Sequence, residues 1–161
     1  MKKLLFLGLF CIGIFASSTL EQNGKWIQDI TKDELTDNKT VVLWLEATSG
    51  RGTYGEIATL IIRCQNNKTE MYINWNAYLG LDYIKVIDRI DSKKAETSYW
   101  DISTDSKASF KRTPVSYIKK MLNSKKYIAQ VTPYRENPIT AVFETEGLGK
   151  VIKELRETCH W

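Results

Sequence analysis

Histidine is the scarcest catalytic residue type in this 161-residue sequence, which contains a single copy, His160. The sequence therefore predicts neither a histidine-rich metal site nor a serine–histidine–aspartate triad. Proline and cysteine are also scarce, with three of each. Beyond residues 4–15 no apolar run approaches the roughly 20 residues of a membrane-spanning helix. We therefore expect a chain without a metal or another cofactor, and without a transmembrane segment in the mature protein.

The first eighteen residues have the three parts of a secretory signal. Lys2 and Lys3 precede an uncharged apolar stretch at residues 4–15, and small residues follow at Ala16 and Ser18. This pattern predicts a signal peptide at residues 1–18, with a cut after Ala16 as the alternative. The mature protein is expected in the periplasm, with the outer surface and secretion as open alternatives.

Removal of this leader takes Cys11 away and leaves two cysteines, Cys64 and Cys159. Exported proteins meet an oxidising compartment, where two remaining thiols are expected to pair. The sequence therefore predicts a disulfide between Cys64 and Cys159. This bond would fasten the last residues of the chain to its middle.

Short β-rich runs separated by turn residues dominate residues 19–161. Strands are predicted at 41–45, 57–64, 69–75, 84–90, 99–102, 107–110, 127–131 and 140–143, with Trp26 and Ile27 as an earlier strand. Asn66, Asn67 and Lys68 read as a tight hairpin connection. The expected fold is mainly β (α+β): a single domain built as an antiparallel β-sandwich or curved sheet.

Two helices are predicted. A short one is expected near 114–122, because Thr113 is a plausible N-cap and Pro114 suits the first helical position. A second is expected after Gly147, where the apolar residues recur at helical spacing: Leu148, Val151, Ile152, Leu155 and Cys159. This amphipathic C-terminal helix would be stapled to the sheet through Cys159.

Residues Gly50 to Gly55 form a literal G-x-G-x-x-G sequence. A dinucleotide site requires a helix after the third glycine. The run at 57–62 is instead rich in β-branched residues and predicts a strand. We interpret the motif as a glycine-rich hairpin loop, whose Arg51 and Tyr54 could contact a partner.

Two acid pairs, Asp88 with Asp91 and Asp101 with Asp105, raise the hypothesis of glycoside hydrolysis. Positions three apart in a strand point to opposite faces, whereas Arg89 and Asp91 share a face and could form an ion pair. We therefore predict no catalytic residue and a protein that is not an enzyme.

The segment 106–135 contains no acidic residue and many basic ones. Its candidate partner-binding residues are Lys111, Arg112, Lys119, Lys120, Lys125 and Lys126. A basic face attracts anions, here an envelope protein, an anionic lipid or a cell-wall component. Export disfavours nucleic acid, while peripheral membrane contact is compatible with the pattern. A solvated basic face without a dedicated partner is the alternative.

Several short motifs, taken in order, resemble the VasI or TagO-type family associated with type VI secretion. They are an early Trp, Leu60–Cys64, Tyr72–Trp75, Arg89–Asp91, Trp100, Pro133–Tyr134, Ala141–Phe143, Gly147–Leu148, Leu155–Arg156, Cys159 and Trp161. The resemblance implies a small exported envelope protein with no accepted active site. It also implies structural roles for Cys64, Cys159, Arg89, Asp91, Trp100 and Phe143.

Our leading hypothesis is a non-enzymatic periplasmic accessory or binding protein that resembles envelope proteins of type VI secretion. One alternative is an inhibitor of a cell-wall hydrolase, because the loop at residues 49–55 could enter a cleft. Another is a phage-borne envelope protein of the same family.

Overall fold

Ten strands and three short helices form the regular structure of residues 21–23 and 25–161, the part of the chain that the computed structural model describes. The strands are β1 Glu21–Asn23, β2 Trp26–Lys32, β3 Lys39–Arg51, β4 Ile57–Gln65, β5 Lys68–Asn74, β6 Tyr83–Ile90, β7 Glu96–Ile102, β8 Ala108–Phe110, β9 Tyr127–Val131 and β10 Ile139–Phe143. The helices are α1 Pro114–Met121, α2 Leu148–Val151 and α3 Lys153–Thr158. The predicted signal peptide lies outside the described residues.

The strands close into an antiparallel barrel. Its order is β3-β10-β9-β6-β7-β8-β5-β4, and β4 returns to β3, while β2 and β1 continue outward from β3. The mainly antiparallel β prediction is confirmed, but the expected sandwich is wrong, because the curved sheet closes on itself as a barrel. The alternation of apolar and polar residues along a strand identifies the buried face of that strand, but it does not identify the strand with which it pairs. The closing pair, Ser49 with Val142, joins segments too distant in sequence for that pattern to connect.

Strand β3 makes closure possible because it pairs with two different strands along the same edge. Its first half pairs with β2, as Trp44 does with Ile27, and its end pairs with β10. The register with β4 is irregular between Glu46 and Arg51, and such a bulge bends a strand. Gly50 lies at this bend with φ +101°, and a Cβ there would be 2.7 Å from the Ala141 Cα. Glycine therefore permits the close approach of β3 and β10.

Large aromatic side chains fill the interior. Trp26, Trp75, Trp100, Tyr127 and Phe143 are fully buried. Each buried indole N–H has an acceptor. Trp26 donates to the Thr145 carbonyl at 3.2 Å, Trp75 to Ser109 Oγ at 2.9 Å and Trp100 to Ser98 Oγ at 3.0 Å. The core thus gains the apolar area of these rings without leaving their polar atoms unsatisfied.

Two local predictions are confirmed. Asn66 and Asn67 have φ of 51° and 57° between β4 and β5, as a two-residue hairpin turn requires. Helix α1 begins at Pro114 and buries Tyr117, Ile118 and Met121. No helix in the described part of the chain is both long and apolar enough to cross a membrane.

The predicted amphipathic C-terminal helix is wrong as a single element. The segment forms two short helices that break at Ile152, where ψ is −7°. The carbonyl of Val151 accepts a hydrogen bond from Gln28 Nε2 at 3.4 Å, and Gly149 N–H donates to the Leu122 carbonyl at 3.1 Å. The Gln28 contact lies directly beside the break, whereas the Gly149 contact fixes the first turn of α2. The apolar residues of the predicted stripe are nevertheless buried against the barrel.

The disulfide between Cys64 and Cys159 is present, with the two Cα atoms 5.9 Å apart. It joins the end of β4 to the residue after α3. Trp161, two residues further on, donates from its Nε1 to Thr69 Oγ1 at 2.8 Å, and the Arg156 guanidinium lies 5.3 Å from its ring centroid. The chain end is therefore anchored to the β4–β5 hairpin by covalent and polar contacts.

We predict that Cys159→Ser lowers the melting temperature by on the order of 10 °C. The bond closes a loop with a sequence separation of 95 residues, which the chain-entropy model values at about 4 kcal/mol. Differential scanning calorimetry measures this change, and hydrogen exchange should show faster exchange across α2 and α3. Reduced wild-type protein is the matched control and should behave like the variant. Equal melting of the oxidised and reduced proteins would contradict the prediction.

Candidate interaction surface

Because neighbouring strands are antiparallel, the loops that connect them lie at the two ends of the barrel. One end, here called the tyrosine end, is formed by the loops at 52–56, 75–82, 103–107 and 132–138. The opposite end carries the turns at 33–38, 66–67 and 91–95, together with α1 and residues 122–126 and 144–161.

Exposed aromatic surface is concentrated at the tyrosine end. Eight large hydrophobic side chains are exposed in the described part of the chain. Those at or beside the tyrosine end are Tyr54, Tyr78, Leu81, Tyr83, Tyr99 and Tyr134, whereas Leu35 and Ile87 lie elsewhere. Tyr54, at the loop tip, is 87% exposed. Single exposed apolar residues are ordinary, but a group on one end indicates an interaction site.

Hydrogen bonds hold the loops of this end to each other. Thr53 donates from its N–H to the Asn76 carbonyl at 3.2 Å and from Oγ1 to Glu136 Oε1 at 2.8 Å. The Tyr134 N–H donates to the Tyr78 carbonyl at 3.1 Å. The rings of Tyr78 and Tyr134 meet edge to face, with centroids 6.0 Å apart. Three loops are thus ordered as one surface.

The glycine-rich motif has a structural explanation. The chain at Gly52 passes so close to the 75–82 loop that a Cβ would lie 2.2 Å from the Asn76 carbonyl oxygen. Arg51 donates from Nη1 to the Gly55 carbonyl at 2.7 Å, which closes the loop across its base. The structure places Arg51 and Tyr54, both predicted partner-binding residues, on the exposed surface of this loop. A strand, β4, follows the motif.

An open groove of about 610 Å³ runs beside the loop. Arg51 and Arg135 lie on its lining, together with Thr53 and Glu136. The Arg135 guanidinium is 5.1 Å from the centroid of the Tyr134 ring, so the cation lies over an aromatic face. The groove therefore combines guanidinium, hydroxyl and carboxylate groups, and the Tyr134 ring lies next to the Arg135 side chain that lines it.

A second aromatic pair continues the surface down the barrel wall. Tyr83 and Tyr99 meet edge to face with centroids 5.4 Å apart. Beside them Arg112 binds Asp101 Oδ1 through Nε at 2.9 Å and Nη2 at 2.7 Å, and its guanidinium lies 6.0 Å from the Tyr83 ring. Arg112, predicted to bind a partner, is thus exposed but already engaged by a neighbouring carboxylate.

Lys111 does not belong to a basic surface, and its prediction as a partner-binding residue is corrected here. Its side chain is only 8% exposed, and its Nζ lies 3.2 Å from Asp88 Oδ2 inside the barrel. The ammonium group also lies 3.9 Å from the Tyr117 ring centroid and 5.0 Å from that of Trp100. The position follows from β8, which turns Lys111 inward just before α1.

Asp88 is the acidic partner of this buried cluster. It interrupts the alternating apolar positions of β6 and is 1% exposed. Its Oδ2 accepts hydrogen bonds from Lys111 Nζ and from the Tyr127 hydroxyl, each at 3.2 Å. Burial, followed by the charge of Asp88, raises the pKa of both Tyr117 and Tyr127, so both hydroxyls stay protonated well into the alkaline range. Sequence reasoning found Asp88 but not its partner, which is distant in the chain.

The remaining acids of the two proposed pairs are engaged separately. Asp91 Oδ1 accepts hydrogen bonds from backbone N–H groups, and the ion pair predicted between Arg89 and Asp91 does not occur among the described residues. Asp105 accepts a hydrogen bond from Ser103 Oγ at 2.5 Å, which lowers the pKa of its carboxyl group. Asp101 binds Arg112. The acids therefore have different partners and do not converge on a shared site.

The other predicted cations lie at the end opposite the tyrosines. Lys120, Lys125 and Lys126 are exposed there. Lys119 precedes Lys120 on α1, and its Nζ lies 5.6 Å from the Trp161 ring centroid. The turn at 91–95 adds Lys93 and Lys94, which the sequence did not group with them. Tyr78 at the tyrosine end was also missed, and Tyr134 and Arg135, which the sequence placed in the basic segment, were not grouped with Arg51 and Tyr54. Their shared loop-end position depends on strand order.

Known proteins resemble this chain in fold and in sequence. The crystal structure of invasion associated protein B from Bartonella henselae superimposes with a TM-score of 0.62 and 12% identity, covering 89% of this chain and 100% of that one. At this identity the likeness shows a shared fold. A search of curated proteins found no significant match.

The family model described as "Type VI secretion system VasI, EvfG, VC_A0118" matches residues 14–161, nearly the whole chain. The chain therefore belongs to the VasI family of type VI secretion-associated proteins. This confirms the resemblance drawn from the short motifs between Leu60 and Trp161.

We predict that Asp88 and Lys111 are strongly coupled in stability. Asp88→Asn or Lys111→Met alone should cost about 3 kcal/mol, because each leaves an uncompensated buried charge, whereas the double variant should cost less than the sum. Urea denaturation of all four proteins measures the coupling. The exposed pair Asp101→Asn and Arg112→Met is the control, with coupling below about 1 kcal/mol. Additive costs at Asp88 and Lys111 would contradict the assignment.

Proposed function

We propose that this VasI-family protein is a non-enzymatic periplasmic binding protein that holds a protein partner of the cell envelope at its tyrosine end. The observation that carries the proposal is the concentration of exposed tyrosines at one end of the barrel. Family membership supports a partner connected with type VI secretion. The signal-like sequence at residues 1–18 and the Cys64–Cys159 disulfide support a periplasmic location.

The composition of the tyrosine end favours a protein as the ligand. Tyrosine and arginine are enriched in protein interfaces and at their energetic hot spots. The end offers Tyr54, Tyr78 and Tyr134 together with Arg51 and Arg135. Tyrosines with glycine, serine and asparagine are also the residues with which antibody loops bind diverse proteins. A broad, aromatic, loop-built surface suits this kind of recognition better than it suits a small molecule.

The order of the loops supports tight binding. Association loses affinity when loops must be immobilised, and a pre-formed surface avoids much of that loss. Here the Thr53–Glu136 and Tyr134–Tyr78 hydrogen bonds join three loops before any partner arrives. The close approach at Gly52 restricts them further. The tyrosine side chains are thereby presented from a fixed base.

Inhibition of a cell-wall hydrolase is a second form of the same function. Its specific support is Tyr54, which stands at the tip of the 52–56 loop and is 87% exposed. A protruding tip next to a groove with arginines could occupy an enzyme's substrate cleft. Purified protein should then slow a lysozyme at micromolar concentration, and Tyr54→Ala should abolish the effect. Undiminished lysis by every enzyme of a lysozyme panel would contradict the inhibitor function.

We predict that the double variant Tyr54→Ala/Tyr134→Ala loses its envelope partner. Wild-type protein at native expression, crosslinked in cells and analysed by mass spectrometry, should recover a secretion or cell-wall component. Recovery by the variant should fall more than about tenfold, because truncation of a hot-spot side chain costs about 2 kcal/mol or more.

Leu35→Ala/Ile87→Ala is the matched control, since both residues are exposed apolar side chains away from the tyrosine end. It should recover the partner as wild type does, and both variants should melt like wild type. The proposal fails if the wild-type protein recovers no envelope protein, or if the tyrosine variant recovers the same partner undiminished.

A further inference from the structure

We infer that the end of the barrel opposite the tyrosines binds the surface of an anionic membrane. Its cations come from three separate segments, which we call together the basic end. They are Lys93 and Lys94 in the turn after β6, Lys120 near the end of α1, and Lys125 and Lys126 before β9. This inference goes beyond the proposed protein contact and can fail independently of it.

A hydrogen-bond network places the two lysine pairs side by side. Asp91 Oδ1 accepts from the N–H groups of Lys125 at 3.0 Å and Lys126 at 2.8 Å. The Asp91 N–H donates to the Lys126 carbonyl at 2.8 Å. The turn with Lys93 and Lys94 is thereby fixed beside residues 125–126. Asp91 is thus held by backbone groups while the lysine side chains extend into solvent.

The two lysine pairs of the basic end have no acidic partner within ion-pair distance in the described part of the chain. Lys93, Lys94, Lys125 and Lys126 are all exposed. Lys120 lies 4.0 Å from Glu96 with both side chains more than half exposed, a weak pair. Lys150 lines an open groove together with Lys125, and Glu146 lies on the same groove.

The spacing of these cations favours an extended anionic surface over a small anion. The cavity between Arg89, Lys93, Lys94 and Lys120 has a volume of about 30 Å³, enough for a water molecule but not for a phosphate group. The lysines therefore do not converge on one ligand. Lysine is a mobile point charge that needs no fixed partner geometry, which suits lipid headgroups.

Two other anionic partners, single-stranded nucleic acid and an acidic protein, fit the basic end less well. The aromatic rings nearest to it, Tyr117 and Tyr127, are buried, so they cannot stack on the bases of single-stranded nucleic acid. Lysine is depleted in protein interfaces, in contrast to tyrosine and arginine. A lysine surface whose nearest rings are buried therefore favours a membrane, and the tyrosine end would point away from it.

Vesicle co-sedimentation at low salt tests the inference directly. Full-length mature protein should bind vesicles of phosphatidylglycerol and phosphatidylethanolamine, and should not bind phosphatidylcholine vesicles. The variant with Lys93, Lys94, Lys125 and Lys126 changed to Gln should lose at least about a hundredfold in affinity. Added salt should weaken wild-type binding.

The control changes the net charge by the same amount elsewhere, with the exposed Lys85 and Lys107 both changed to Glu, and should retain most of the binding. Equal losses in the two variants would overturn the inference, as would wild-type protein that ignores anionic vesicles. Retention on polyglutamate or duplex DNA without vesicle binding would overturn it in favour of an acidic partner or nucleic acid. Tyr54→Ala/Tyr134→Ala should bind vesicles normally, which separates this result from failure of the proposed function.

Discussion

The pairing of β3 with β4 on one edge and with β10 on the other holds the molecule together, because it turns an open sheet into a barrel. Closure pairs the edges that the eight barrel strands would expose as an open sheet, and β1 remains as the outer strand beyond β2. It also gathers loops that are distant in sequence onto two ends. The bulge after Glu46 and the glycine at Gly50 make the strand bend that closure requires. The two ends then acquire different chemistry, one aromatic with arginine and the other rich in lysine.

The interior supports this division. Asp88 and Lys111 neutralise each other inside the barrel, beneath Tyr117 of α1, so the most sequestered cation of the basic segment contributes nothing to the surface. The disulfide and Trp161 fasten the C-terminus of the chain to the β4–β5 hairpin, which lies at the end of the barrel opposite the tyrosine end. We propose that protein recognition belongs to the loops of the tyrosine end, since loops carried on a rigid scaffold are common binding sites.

Local signals were sufficient for many elements of the fold. The Asn66–Asn67 turn, Pro114 at the start of α1 and the Cys64–Cys159 pair each depend on adjacent residues or on simple pairing. Barrel closure was not predictable, because it depends on the pairing of Ser49 with Val142 across most of the chain. The break at Ile152 was not predictable either, because the Gln28 side chain that contacts the backbone beside it comes from a strand distant in the sequence.

The candidate site shows the same limit. The glycine-rich loop identified Arg51 and Tyr54, but Tyr78 and Tyr134 come from other loops and join them only through strand order. A run of basic residues likewise could not reveal that Lys111 turns inward to meet Asp88, or that Lys93 and Lys94 lie beside Lys125 and Lys126. Linear charge patterns describe composition, whereas the barrel decides which charges share a surface.

Photo-crosslinking in living cells tests most directly whether the molecule recognises a protein through its tyrosine end. A photoreactive amino acid would replace one residue at a time, at Tyr54 and Tyr78 on that end and at Lys32 and Ile87 elsewhere. We predict a discrete crosslinked protein adduct from Tyr54 and Tyr78 and none from the other two positions. The same adduct from all four positions, or from Lys32 and Ile87 alone, would contradict the account.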